Sequence, residues 1–199
     1  NYAIEEALLL KEKHGAEVIV CTLGNETSRQ VLKDALAKGA DKGIFISNDS
    51  IEKSDILTIA KTIATALKNE NFDLVLSGLQ SDDQGNSQLG LLLAELLDMS
   101  HGSLVMETDL INSSTIKVKK ELEGGWFQWT NLSLPASISI QSGINTPRYA
   151  TLKGIMMVKK KTVEDVNIED LSLNITSKTT ISKMYKPNKS KETQFIEGS

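Results

Sequence analysis

Apolar positions change their spacing along the chain, and each change marks an element. Between Tyr2 and Lys13 they recur at helical intervals with Lys and Glu on the other face, and Gly15 ends the run. Residues 17 to 23 form a continuous apolar run of strand length. Gly24-Asn25 then turns the chain into a second amphipathic stretch near 27 to 38, with Thr27 or Ser28 as its cap and Gly39 as its stop. Ile44-Phe45-Ile46 reads as a further strand, and Ser54 or Asp55 opens a third helix from Ile56 to Lys68. A strand from Phe72, a polar loop and a Leu-rich helix through Leu97 follow. This alternation of strand and helix with short connections predicts an α/β fold whose parallel sheet is wrapped by helices.

The texture changes after residue 102. Leu104 to Met106, Ile116 to Lys120, Trp126 to Trp129 and Ser137 to Ile140 read as strands without helices, joined by turns at Asn112-Ser113-Ser114 and Glu123-Gly124-Gly125. The alternation of Ile116 and Val118 with lysines predicts a sheet with one wet face, and packing is the role expected of Trp126 and Trp129. Residues 142 to 157 form a loop whose Leu152, Ile155, Met156 and Met157 suit a partner surface better than solvent, although folding back on the core is the competing reading. Lys159, Lys160 and Lys161 read as a solvated run able to steer acidic partners. From residue 164 the chain is polar and reads as an extended C-terminal arm. The expected organisation is an α/β domain over 1–163, including a β-rich segment at 102–141 and a recognition loop at 142–161, followed by the arm at 164–199.

The loop between Gly78 and Gly90 is the first candidate site, because ligands of open parallel sheets sit where a strand's carboxyl end meets a helix N-terminus. Gly78, Gly85 and Gly90 allow close backbone approach, while Gln80, Ser81, Asn86, Ser87 and Gln88 supply hydroxyls and amides. Free N–H groups at a helix start favour an anion, most often phosphate. Asp82 and Asp83 argue against a simple phosphate cradle but suit ribose hydroxyls or a helix cap, and an ordinary capped loop remains the alternative. Neither G-x-G-x-x-G nor Walker A spacing is present.

Composition narrows the class. A net charge of -4 over 199 residues gives no basic field for nucleic acid or an anionic membrane. The one cysteine, Cys21, lies in an apolar run and reads as a core thiol, and His14 and His101 lack ligand-spaced partners. No apolar run reaches membrane-spanning length and no signal peptide opens the chain, so a cytoplasmic setting without membrane insertion is expected. Nothing forms a set of nucleophile, base and orienting group or a metal cluster, which agrees with a protein whose chemistry belongs to a cofactor.

Three segments resemble the β subunit of electron transfer flavoproteins. Gly78, Gln80, Asp83, Gln88 and Gly90 match a loop of that family, with Ser81, Asp82, Gln84 and Gly85 departing from its usual residues. Lys120-Glu-Leu-Glu-Gly-Gly125 with Pro135 resembles its signature, and the segment from Gly143 through Asn145-Thr-Pro-Arg-Tyr149 to Lys161 is the fullest match. The resemblance implies a Rossmann-like fold and a heterodimer with an α subunit that holds most of the FAD. It places Leu23 and the stretch Gln80, Ser81, Asp82, Asp83, Gln84, Gly85, Asn86, Ser87, Gln88 and Leu89 at nucleotide-binding positions, with AMP as the ligand. The loop after residue 23 would share that pocket. Glu121 falls where the family's β subunit pairs with an α-subunit Arg, and Leu152 where a side chain docks in a partner dehydrogenase. Electrons would pass from acyl-CoA or other flavin dehydrogenases to a quinone oxidoreductase or ferredoxin. A bifurcating relative holding a second FAD remains open, as does a nucleotide-binding sensor or enzyme of the same fold. The family also leads one to expect a further strand and loop before Asn1 and a final helix after Phe195-Ile-Glu-Gly-Ser199.

Overall fold

A computed structural model describes residues 1–51, 54–171, 173 and 176–186. Helix α1 (Tyr2–His14) stops at Gly15, whose left-handed backbone (φ 73) turns its N–H onto the Lys11 carbonyl. Strand β1 (Ile19–Gly24) leads through a 3-10 turn at Glu26–Ser28 into α2 (Arg29–Lys38). The capping here differs from expectation: Asn25 accepts from the Thr27 N–H at the 3-10 turn, and Ser28 makes no side-chain cap. Strand β2 (Lys42–Ser47) follows, and Asp55 caps α3 (Ile56–Leu67) by accepting from the Thr58 N–H. Strand β3 (Leu74–Gly78), the polar loop and α4 (Leu89–Leu96) complete the first half.

The second half is β4 (Ser100–Asn112), β5 (Thr115–Glu121), β6 (Phe127–Ser133) and β7 (Ala136–Ile140), then a short helix α5 (Leu152–Met157) and β8 (Val163–Asn167). Among the described residues the strands form two sheets, both Rossmann-like in having parallel strands flanked by helices: β1-β2-β8, all parallel, and β3-β7-β4-β5-β6. Strand β7 falls in the β-rich segment that the sequence sets apart from the parallel sheet. It instead runs parallel between β3 and β4, and all five of its residues are buried, as a strand covered on both faces requires. Antiparallel pairing is confined to β4, β5 and β6, the added β segment.

Strands β1 and β3 each pair on one side only, and their other edges face a shared cleft. Val105, Ile116, Val118, Leu132 and Ile138 form the core of the larger sheet, with Ile44 and Ile46 of β2 in the smaller one. The period-2 alternation of β5 holds, because Ile116 and Val118 are fully buried while Lys117 and Lys119 face outward. Trp126 and Trp129 depart from their expected packing role: Trp126 is 74% exposed and Trp129 44%. β6 takes Leu132 to the core and so turns Trp129 to the solvent side.

The polar chain after Lys161 does not start as a free arm. Val163–Asn167 extends the smaller sheet beside β2, and further on Asp55 accepts from the N–H groups of Lys178 (2.5 Å) and Thr179 (3.2 Å). The hydrogen bonds from Thr58 foremost, and then those from Lys178 and Thr179, hold the Asp55 carboxyl down at about 2. Pro187 and the expected lead-in at 195–199 lie outside the described residues. No helix among the described residues is long and apolar enough to cross a membrane.

Candidate functional site

The cleft between β1 and β3 encloses about 800 Å³. Its body is apolar, with Ile19 and Cys21 on one side and Leu74 and Leu76 on the other. Burial pushes the Cys21 thiol up to about 12, so it stays protonated. Polar groups gather where β3 ends: Gly78, Gln80 and Asp82, with Gln141 and Ser142 alongside because Gly78 is paired with Ile140.

The start of α4 is fixed by close packing. A Cβ on Gly90 would fall 2.3 Å from Ser139 Oγ and 2.6 Å from Ser77 Oγ, so any larger residue would have to turn both hydroxyls aside for the helix to lie this low on β3 and β7. The Ser137 hydroxyl donates to the Gly90 carbonyl at 2.8 Å. Gln88, at the N-cap, makes no side-chain cap, which leaves the helix start free to receive an acceptor.

The intervening loop folds on itself. The Ser87 hydroxyl donates to Gln80 Oε1 (2.6 Å), the Asn86 amide to Gln84 Oε1 (3.1 Å), and the Gly85 N–H to the Ser81 carbonyl (3.1 Å). Gly85 (φ 59) and Ser87 (φ 53) both take left-handed backbone to make that turn. Hydrogen bonds from the Ser81 hydroxyl and the Gln84 N–H hold Asp83 below the usual carboxylate range. The structure therefore brings Gln80, Asp82 and Leu89 to the cleft, while Ser81, Asp83, Gln84, Gly85, Asn86, Ser87 and Gln88 lie off its wall. Leu23 also lies off the wall, packed against the cluster of Ile44, Ile46 and Leu67; its neighbours Cys21 and Thr22 line the cleft. Glu121 ends β5 and accepts from the Gln141 side-chain amide at 2.9 Å.

The segment from 142 to 161 is clamped at both ends. Arg148 lays its guanidinium on Glu5 (2.8 Å) and Glu12 (2.5 Å) of α1, and its own N–H also donates to Glu5. The contact holds Glu5 below and Arg148 above their ordinary values. Asn145 donates to the Tyr2 carbonyl (3.1 Å) and Glu6 (3.0 Å). At the far end Lys161, expected to be solvated, donates to the Leu36 carbonyl (3.0 Å) and to the Ala40 carbonyl at the end of α2, where desolvation lowers its pKa. The lysine is a second donor to the Leu36 carbonyl, which also accepts from the Gly39 N–H, and sets a positive charge at the negative end of the α2 dipole.

Between these clamps the expected loop is a helix. Thr151 caps α5 by accepting from the Gly154 N–H (3.0 Å), and a Cβ on Gly154 would fall 2.1 Å from the Ala37 carbonyl oxygen. That contact seats α5 against α2 and turns Leu152 (82% exposed), Ile155 (54%) and Met156 (75%) to solvent. Sequence reasoning missed the anchoring acids. Glu5 and Glu12 read as the polar face of α1, and their partner lies 143 and 136 positions away.

The pattern of the electron transfer flavoprotein domain matches residues 1–171. The chain belongs to the electron transfer flavoprotein family. It is similar to β subunits along most of its length. The β subunit of Methylophilus methylotrophus is 33% identical over 207 residues, covering 100% of this chain and 78% of that protein. Those of Bacillus subtilis and Bos taurus are each 36% identical, covering 87% and 93% of this chain and 67% and 73% of theirs. Electron transfer is the role the chain shares with them, as a β subunit.

Proposed function

We propose that this chain pairs with an α subunit as a heterodimeric electron carrier, with α5 as the docking element for dehydrogenases and the loop from Gly78 to Gly90 as an adenine-nucleotide seat. The observation that carries this reading is α5 itself, an apolar helix held out to solvent by charged anchors at both ends. Burying side chains of the size of Leu152 contributes about 2 kcal/mol each, enough for a contact that forms and releases during turnover.

The polar end of the cleft fits AMP. Gln80 and Asp82 present groups for ribose or base hydrogen bonds, and the uncapped start of α4 presents N–H groups and a positive dipole end for the phosphate. In this reading the chain acts as a carrier subunit and the nucleotide serves structure. FAD, shared with the α subunit, supplies the redox chemistry when bound. The residues of this chain orient and dock: Arg148, Asn145 and Lys161 fix α5, and α5 brings a dehydrogenase's flavin close before electrons leave for a quinone oxidoreductase or ferredoxin. Glu121 contributes a contact to the α subunit.

The test is to co-express the full-length β chain with its α subunit, release ligands from the purified heterodimer by heat, and quantify them. One FAD with one AMP is expected. Two FAD without AMP would replace the shuttle by a bifurcating carrier, and no flavin would overturn both in favour of a nucleotide-binding protein of another activity.

A further inference from the structure

We infer that Asp55 is a latch that ties the C-terminal arm to the start of α3, so that the arm proper begins after Thr179 rather than after β8. A single residue here serves both its own helix and a segment 122 to 124 positions downstream. Asp55 Oδ1 accepts from the Thr58 N–H at 2.8 Å and caps α3. Asp55 Oδ2 accepts from two successive backbone N–H groups, those of Lys178 and Thr179, which close on the charge as a small nest. The exchange is reciprocal, because the Asp55 N–H donates to the Ser177 hydroxyl at 3.1 Å. In an ordinary capping box a side chain from the helix's own first turn accepts that last bond. In α3 a residue of the arm accepts it instead, so the cap and the arm form one unit.

The chain comes to the latch already held at two places. β8 pairs with β2, and Leu171 packs against the cluster of Ile44, Ile46 and Leu67. Leu67 is the last residue of α3 and Asp55 stands just before its first, so the chain is tied down at both ends of that helix. Beyond the latch the texture changes. Every residue from Lys178 to Lys186 is exposed, and Ile181, Met184 and Tyr185 are 71% to 84% open to solvent.

The chemistry of the tie makes it a device that can open by itself. Hydrogen bonds to an ionised carboxylate are about twice as strong as neutral ones, yet this contact covers exposed backbone and little apolar surface. Such a contact opens as a local unit while the sheet stays intact. Closed, it makes the arm leave the domain at one fixed point, which lowers the ordering cost of any surface the arm then covers. Open, it frees the arm back to Leu171. The assignment is independent of the heterodimer and of the nucleotide seat.

Capping and latching can be separated by substitution. Serine caps helices as well as aspartate does but carries one oxygen and no charge, so Asp55→Ser keeps the bond from Thr58 and loses the nest. The test measures hydrogen exchange of individual amides in the full-length chain, with melting as the folding control. In Asp55→Ser the amides of Lys178 and Thr179 are expected to exchange about tenfold faster, while those of β8 and the melting temperature stay near wild type. Asp55→Ala is expected to free the same two amides and also to lower the melting temperature, because the cap is lost as well. Wild-type exchange at Lys178 and Thr179 in Asp55→Ser would overturn the latch and leave Asp55 a helix cap alone. Equal acceleration throughout β8 would overturn it too, by showing that the arm is released only with the sheet edge. Ser177→Ala leaves the α3 cap untouched and keeps the question open to measurement if Asp55→Ser melts low. Its Lys178 and Thr179 amides are expected to exchange about threefold faster, and unchanged rates there would refute the reciprocal tie.

Discussion

α5 and the outer face of β6 both turn large apolar side chains to solvent, yet they are held in opposite ways. Beneath β5 and β6 lies apolar core, so the position of Trp129 is fixed by the same burial that stabilises the whole sheet. Beneath α5 lies only the surface of α2, approached at Gly154 on Ala37, with polar clamps on either side. The difference teaches that an exposed patch takes its stiffness from what lies behind it. The sheet face can soften only if the fold does, whereas α5 can be loosened by itself.

The strongest way to break the comparison is to hollow the core behind the sheet. Ile116→Ala is expected to cost about 3 kcal/mol of global stability, seen as a lower denaturation midpoint by both circular dichroism and tryptophan emission. If only the emission changed, the face would be locally rather than globally supported. Next is Arg148→Ala, which leaves the buried Glu5 carboxylate without its cation and is expected to cost about 2 kcal/mol. Proteolysis at Lys153 and Lys159 should accelerate while Trp126 and Trp129, the only two tryptophans, keep their emission.

Gly154→Ala acts more gently. It forces α5 off Ala37 without touching either clamp, and a roughly tenfold rise in KM for a dehydrogenase is expected, with subunit affinity unchanged. An unchanged KM would mean that α5 tolerates displacement and does not dock as a fixed unit. The smallest effect is acidic. Hydrogen bonding to Arg148 lowers the pKa values of Glu5 and Glu12 from the ordinary 4.5, so their contribution is fully present above that pH and is lost progressively as pH falls below it. Amides near α5 should exchange faster below pH 4.5 before those of β5 do; the reverse order would contradict a polar clamp.

Much of this was legible because it is local. The Asp55 cap, the buried run of β2 and the alternation of β5 follow from neighbouring residues, and the exposure of Leu152 and Met156 follows from apolar side chains in a Gly- and Pro-bearing stretch. What escaped depends on partners distant in sequence. Arg148 meets acids on α1, Lys161 meets carbonyls on α2, and β7 slips between β3 and β4. The site was legible as a place and less so as a surface. Gly78 to Gly90 does stand at a strand end beside a cleft, but internal hydrogen bonds turn Ser81 and residues 83–88 away from the wall, and composition carries no trace of that fold. The exposure of Trp129 escaped because an outward aromatic in an alternating strand looks the same in sequence as an inward one until the register is known.

The central position of β7 has a bearing on how the chain acquires its shape. Strands β4, β5 and β6 are joined by short turns and can zip together as hairpins soon after they are made. Strand β3 cannot join them then, because its neighbour in the sheet is β7, more than fifty residues downstream. During synthesis, β3 and α4 must wait with apolar flanks uncovered until residue 140 has left the ribosome. The last strand to arrive locks the halves of that sheet together, and the nascent chain is most exposed to aggregation in the interval before it does.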